Sequence, residues 1–246
     1  VDAAREHASL AREIRRLGGR PRRAGPNDSF TTAGRLYYGV RVPDARQLAK
    51  SWWREHRDAD ADEVLEVVDR FIAGESFDEK TFGALLLAID KQARAATTPT
   101  RVDQWLSVLA GWAEVDSLCQ NMFSADHFLA DWSAWRSLIT KLSADENINK
   151  RRASLVLLTG PVHYSPDERL ADAAFATIQV LEAEREILIT KAVSWLLRCL
   201  ITHHRGSVDE YLREHAATLP KLAIRETRTK LDTGTKSGRS RAPTQE

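Results

Sequence analysis

Apolar residues return at every third or fourth position along most of this chain, and that single property restricts the folds open to it. The stretch DEVLEVVDRFIAG, residues 62–74, shows the pattern. Val64, Leu65, Val67, Val68, Phe71 and Ile72 fall on one broad helical stripe, and Gly74 suits the helix end. Residues 76–96 open on Ser76 with Glu79 three positions later, the spacing of a capping box. Residues 98–112 begin with Thr98 and Pro99 in the cap and first-turn positions. Further helices fit 117–129, 131–142, 145–159, 166–181, 185–204, 207–217 and 220–231, with Pro43, Pro161, Pro166 and Pro220 near breaks. No stretch alternates apolar and polar residues between hairpin turns, so a sheet is not expected.

The expectation is an all-α protein of about a dozen helices, each about 10–20 residues long, joined by short links. Helix pairs recur at roughly 35–40 residues, the period of HEAT-like helical repeats that stack into a curved solenoid with a concave face. A compact helical bundle is the alternative. With 43% hydrophobic residues the chain can bury a sizeable core, and a single domain is expected over residues 1–232. Residues 18–29, GGRPRRAGPNDS, read as a loop, and 233–246 as a flexible tail without apolar periodicity.

Charge is unevenly spread although the net value is only +1. Residues 1–57 hold 13 Lys and Arg against 6 Asp and Glu; residues 58–134 hold 5 against 15; residues 135–246 hold 18 against 14. A basic face toward a polyanion fits this distribution, and so do Arg-rich helices that are merely solvated. The N-terminal stretch VDAAREHASL has no apolar leader region, and apolar runs such as GALLLAI are too short to span a bilayer. The two cysteines, Cys119 and Cys199, make no disulfide or metal pattern, so a reducing cytoplasm is expected.

Three patches carry candidate chemistry. Trp112 and Asp116, in GWAEVD, are spaced to share a helix face. The bland account makes Trp112 a core residue and Asp116 a cap for a helix starting near Ser117. In NKRRASLVLL, Lys150, Arg151 and Arg152 crowd the start of a helix, where the dipole disfavours cations and a phosphate would offset the cost; an exposed turn is the alternative. In ITKAVSWLLRCL, Lys191, Trp195 and Arg198 form a stripe opposite Val193, Leu196, Leu197 and Leu200, which suit the core. There is no glycine-rich phosphate loop, HExxH zinc site or GxSxG nucleophile elbow. His203 and His204 read as a helix C-terminal pair.

Taken in order, GVRVPDARQL (39–48), WAEVDSL (112–118), ENINKRRA (146–153) and ITKAVSWLLR (189–198) resemble the AlkD-type family of DNA alkylation repair glycosylases, over about residues 28–230. The resemblance implies HEAT-like repeats with a concave DNA-binding face on which Trp112, Asp116, Arg152 and Trp195 converge. It implies Asp116 as the catalytic carboxylate, Trp112 and Trp195 as the site tryptophans, and Arg152 as the arginine of the DNA-facing helix; the cations around these patches, Lys150, Arg151, Lys191, Arg198 and Arg41, are expected to join Arg152 in contacting phosphates. This chain departs from the family pattern at Phe30, where a tyrosine is expected, and at Asn149, where a tryptophan is expected.

The implied activity is hydrolysis of the N-glycosidic bond of N3- or N7-alkylated purines in duplex DNA, leaving an abasic site. That chemistry suits the residues. Alkylation gives the purine a positive charge, so the base leaves with little need for a general acid. A carboxylate stabilises the oxocarbenium character of the sugar and positions the attacking water. Indole faces attract the cation. No lysine is placed as a Schiff-base nucleophile, so a monofunctional enzyme is expected, with no cofactor and no metal, working as a monomer in a bacterial cytoplasm. Some relatives protect antibiotic producers against yatakemycin-type DNA alkylators, which extends the implied roles from base excision repair to self-resistance. The rival readings are a catalytically silent DNA-binding relative and a HEAT-type protein-interaction scaffold.

Overall fold

The computed structural model describes residues 1–28, 31, 32 and 34–238. Among these the protein is an all-α repeat fold of thirteen helices. They fall into two compact units, the first Val1–Met122 and the second Phe123–Glu246. No helix among the described residues is long and apolar enough to cross a membrane.

The first unit contains α1 (Ala3–Leu17), β1 (Arg22–Arg23), β2 (Leu36–Tyr37), α2 (Val42–Glu55), α3 (Ala61–Ala73), α4 (Phe77–Ile89), α5 (Lys91–Ala96), α6 (Pro99–Leu106) and α7 (Gly111–Cys119). Helices α3 and α4 pack against each other at its centre; α1, α5 and α6 lie against α3, and α1, α2, α5 and α7 against α4. The stripe from Val64 to Ile72 is buried among these helices, as its spacing requires. Capping boxes start α3 (Asp60 with Glu63) and α4 (Ser76 with Glu79), and Thr98 caps α6 with Pro99 behind it. Three indoles cross-link the helices through carboxylates: Trp52 donates to Glu6 at 2.9 Å, Trp53 to Asp90 at 3.0 Å and Trp105 to Asp69 at 2.6 Å. A buried indole N–H needs such a partner.

The second unit contains α8 (Ala125–Ala130), α9 (Trp132–Ser143), α10 (Ile148–Tyr164), α11 (Glu168–Leu181), α12 (Ile187–Glu214) and α13 (Lys221–Thr233). Helix α10 is its centre. It packs against α8, α9, α11 and α12, and every residue from Arg152 through Val162 is buried. Helix α13 closes the unit against α12.

Several boundaries differ from the sequence expectation, each for a local reason. The stretch 76–96 is two helices, because Asp90 ends α4 and its side chain accepts the Ala93 N–H at 2.7 Å to cap α5. The stretch 98–112 stops at Leu106, and the next helix starts at Gly111 rather than near 117. Helix α10 runs through Pro161 to Tyr164; the proline sits one turn from the end, where a single lost N–H is tolerable, and the Ser165 N–H still bonds the Pro161 carbonyl at 3.1 Å. The stretches 185–204 and 207–217 keep the break expected between them: within α12 they are two helical segments that meet at His204, whose backbone leaves helical geometry (φ −124°, ψ 43°). His204 is therefore buried where the first of these segments ends.

A sheet was not expected, yet β1 and β2 pair antiparallel, Arg22 with Tyr37 and Arg23 with Leu36. Two residues per strand are too few to show alternation, and cation–π contact helps hold them, with the Arg22 guanidinium 4.7 Å from the Tyr37 ring centre. The expected loop at 18–29 thus contains a strand. Of the expected tail, residues 239–246 lie outside the described residues, and α13 reaches Thr233.

Candidate functional site

Helix α7 carries the first patch. Gly111 opens it with φ 76°, a left-handed conformation that glycine adopts without strain, and a Cβ there would lie 3.3 Å from the Thr32 hydroxyl. Ala110, the N-cap, has no side chain to offer the helix start. Instead the Glu114 carboxylate turns back and accepts the Ala110 N–H at 2.8 Å.

Val115, Leu118 and Cys119 are buried, which turns the other face outward. Trp112 is 40% exposed on that face, so it is not a core residue. Asp116 stands one turn later and half-buried. Nor is Asp116 a cap: it lies inside α7, its carbonyl bonds the Gln120 N–H at 2.9 Å, and the following helix is capped by Ser124. The structure thus brings Trp112 and Asp116 together on the outward side of one short helix.

The inward side of α7 holds a group that the sequence reading missed. Glu114 is only 1% exposed, and Arg35 Nε lies 2.9 Å from one of its oxygens while Nη2 donates to the other at 3.1 Å. Burial raises the Glu114 carboxyl pKa, against the Ala110 N–H and the charges of Arg35 and Lys80, which lower it. Burial also lowers the Lys80 ammonium pKa, and its Nζ donates to the Ile72 carbonyl at 2.7 Å. The available signal was helical phase: Glu114 sits beside Val115 and one turn before Leu118, on the buried arc.

The second patch lies at the start of α10. Asn147 caps the helix by accepting the Asn149 backbone N–H at 2.9 Å, and Asn149 adds a side-chain bond to the same oxygen at 3.1 Å. Lys150 is half-buried with Asp145 3.7 Å away. Arg151 is engaged on three sides: with Glu184 at 2.8 and 3.3 Å, and with the carbonyls of Asp145 and Glu146, both at 2.8 Å. Arg152 is buried and donates to the Leu188 carbonyl at 2.5 Å, in the first turn of α12.

The third patch is on α12. Val193, Leu196, Leu197 and Leu200 are fully buried, as expected; Lys191 is exposed and Trp195 half-buried. Arg198 pairs with Glu226 of α13 at 2.6 Å and with the Ser194 hydroxyl. Burial lowers the Arg198 pKa, and Glu226 works the other way. Arg41 caps nothing with its side chain: it is 81% exposed and pairs with Asp44 at 2.7 Å. Phe30 lies outside the described residues. Among those described, no group of three or more His, Cys, Asp or Glu could hold a metal ion.

Comparison with known proteins supplies the context. The profile of a family described as DNA alkylation repair enzyme matches residues 12–231, across both units. A solved structure of a predicted DNA alkylation repair enzyme from Enterococcus faecalis superposes with a TM-score of 0.60 at 18% identity, covering 90% of this chain and 92% of that one. At that identity the likeness concerns the fold. No curated protein matches the chain.

Proposed function

The chain belongs to the DNA alkylation repair enzyme family, and from that premise we propose that it is a monofunctional DNA glycosylase acting on N3- or N7-alkylated purines in duplex DNA. The observation that carries this reading is α7. An aromatic face and a carboxylate stand one turn apart on its outward side, and neither has the structural job that the sequence left open to it. Asp116 then meets the positive charge that develops on the deoxyribose as the cationic base departs, and it positions the water that attacks the anomeric carbon. Trp112, and Trp195 on α12, offer indole faces to the positively charged nucleotide.

Phosphate contacts divide by exposure. Lys191 and Arg41 are exposed and take this role, whereas Lys150 is less exposed than Arg151 and lies 3.7 Å from Asp145. Arg151 and Arg198 spend their guanidinium groups on Glu184, Glu226 and backbone carbonyls. We therefore assign them to holding α10 and α12 rather than to DNA. Arg152 supports the first turn of α12 through Leu188 and reaches DNA only from that position.

The test is incubation with duplex DNA carrying 7-methylguanine, 3-methyladenine or a bulky N3-adenine adduct, with detection of free base and of strand integrity. Release of base from an unbroken strand is the expected result, and the preferred substrate distinguishes general repair from self-resistance to a bulky alkylator. Tight, salt-dependent DNA binding without release from any substrate would leave a silent binder. Absence of both would leave a protein scaffold.

A further inference from the structure

We propose that the buried Arg35–Glu114 ion pair is the positioning device that sets Trp112 and Asp116 for the reaction, acting through α7 and not on the substrate; this rests on the glycosylase reading above. Glu114 lies between the two outward residues in sequence and on the opposite side of the helix in space, 1% exposed against 40% for Trp112. Its carboxylate does two things at once. It holds the start of α7 by accepting the Ala110 N–H at 2.8 Å, where the N-cap alanine offers nothing. It also ties the helix to Arg35, 79 positions earlier, through a hydrogen bond from Nη2 at 3.1 Å and the ion-pair approach of Nε to the other oxygen at 2.9 Å.

Arg35 is itself fixed. Its carbonyl accepts the Ala24 N–H at 2.7 Å, its N–H donates to the Thr32 carbonyl at 3.0 Å, and its Nη2 reaches the Val108 carbonyl at 3.4 Å, just ahead of α7. Thr32 in turn abuts Gly111. The segment leading into β2 is thus a brace across the start of α7, and the ion pair is its fastening. A leucine at position 114 would pack that buried site without the desolvation that a charged pair incurs. What an arginine–carboxylate pair adds is a defined direction. Direction matters in a reactive site, where a displacement of about 1 Å costs about 100-fold in rate.

The experiment measures two quantities on alkylated duplex DNA, the single-turnover rate of base release at saturating protein and the dissociation constant, for wild type, Arg35→Ala, Arg35→Lys and Glu114→Gln. Arg35→Ala and Glu114→Gln should release base about 10–100-fold more slowly, with affinity within about two-fold of wild type. Arg35→Lys, which returns a cationic donor to Glu114, should recover most of the rate. Should Arg35→Ala fail to fold, the double variant Arg35→Met, Glu114→Gln takes its place; it removes both buried charges and should fold, yet remain slow. An unchanged rate in a folded variant, a rate loss that tracks loss of affinity, or a lysine variant no faster than the alanine one would each overturn the proposal. A wild type that releases no base would overturn the glycosylase reading and this inference together. An active wild type matched by its variants would overturn this inference alone.

Discussion

Asp116 shows what a single side chain decides. Asp116 caps no helix, and asparagine keeps its shape and most of its hydrogen-bonding capacity, so the melting temperature of Asp116→Asn should stay close to that of wild type. The same change removes a negative charge while keeping shape. If that charge faces an oxocarbenium ion, base release should slow by roughly 100–1,000-fold, about 3–4 kcal/mol of transition-state stabilisation. Single-turnover release beside a melting curve checks this, and normal release by a folded Asn variant would return Asp116 to the ordinary surface. The cations separate in a different measurement. Lys191→Ala should lower the slope of log K against log salt by about 0.9, the share of one phosphate contact. Arg151→Ala should leave that slope alone and cost about 1–3 kcal/mol of stability, because it strips partners from Glu184 and from two carbonyls. A DNA titration across salt and a urea melt on both variants tell the two roles apart.

At the scale of elements, what could be read in advance was whatever a residue shares with neighbours three or four positions away. The buried stripe of α3, the capping box of Ser76 and Glu79, the Thr98–Pro99 start and the apolar face of α12 are all of that kind. What could not be read depends on partners far along the chain. Arg151 looks like a phosphate ligand until Glu184 is placed beside it, and helical phase buries Glu114 without telling that its partner is Arg35, 79 positions earlier. Helix α7 itself was split between two expected helices, because its start is set by the φ of Gly111 and by the proximity of Thr32. Gly111→Ala should therefore be costly: a left-handed alanine, together with a Cβ 3.3 Å from the Thr32 hydroxyl, predicts about 1–3 kcal/mol of destabilisation. Chemical denaturation reads it directly, and a loss below about 0.5 kcal/mol would mean that the start of α7 has another geometry open to it.

At the scale of the whole molecule, the candidate catalytic pair and the crowded cations belong to different compact units, the pair in the first and the Lys150–Arg152 run in the second. The family profile spans both units. The acidic middle of the sequence and the basic ends sum to a net charge of only +1, so cationic surface for a polyanion comes from the ends of the chain. One feature of the second unit reaches beyond binding. Helix α10 has no solvent side from Arg152 through Val162. An amide in its middle meets water only when the neighbours around it come away, whereas the ends of α13 can fray turn by turn. In deuterated buffer the peptide groups of that buried run should therefore exchange slowest in the unit and converge on one common opening free energy, while those near Thr233 exchange early. Scattered rates along α10 would mean that this helix yields piecemeal. A shared rate would make it a clock for the lifetime of the folded state, and alkaline or thermal stress on the protein would be timed by when α10 lets go.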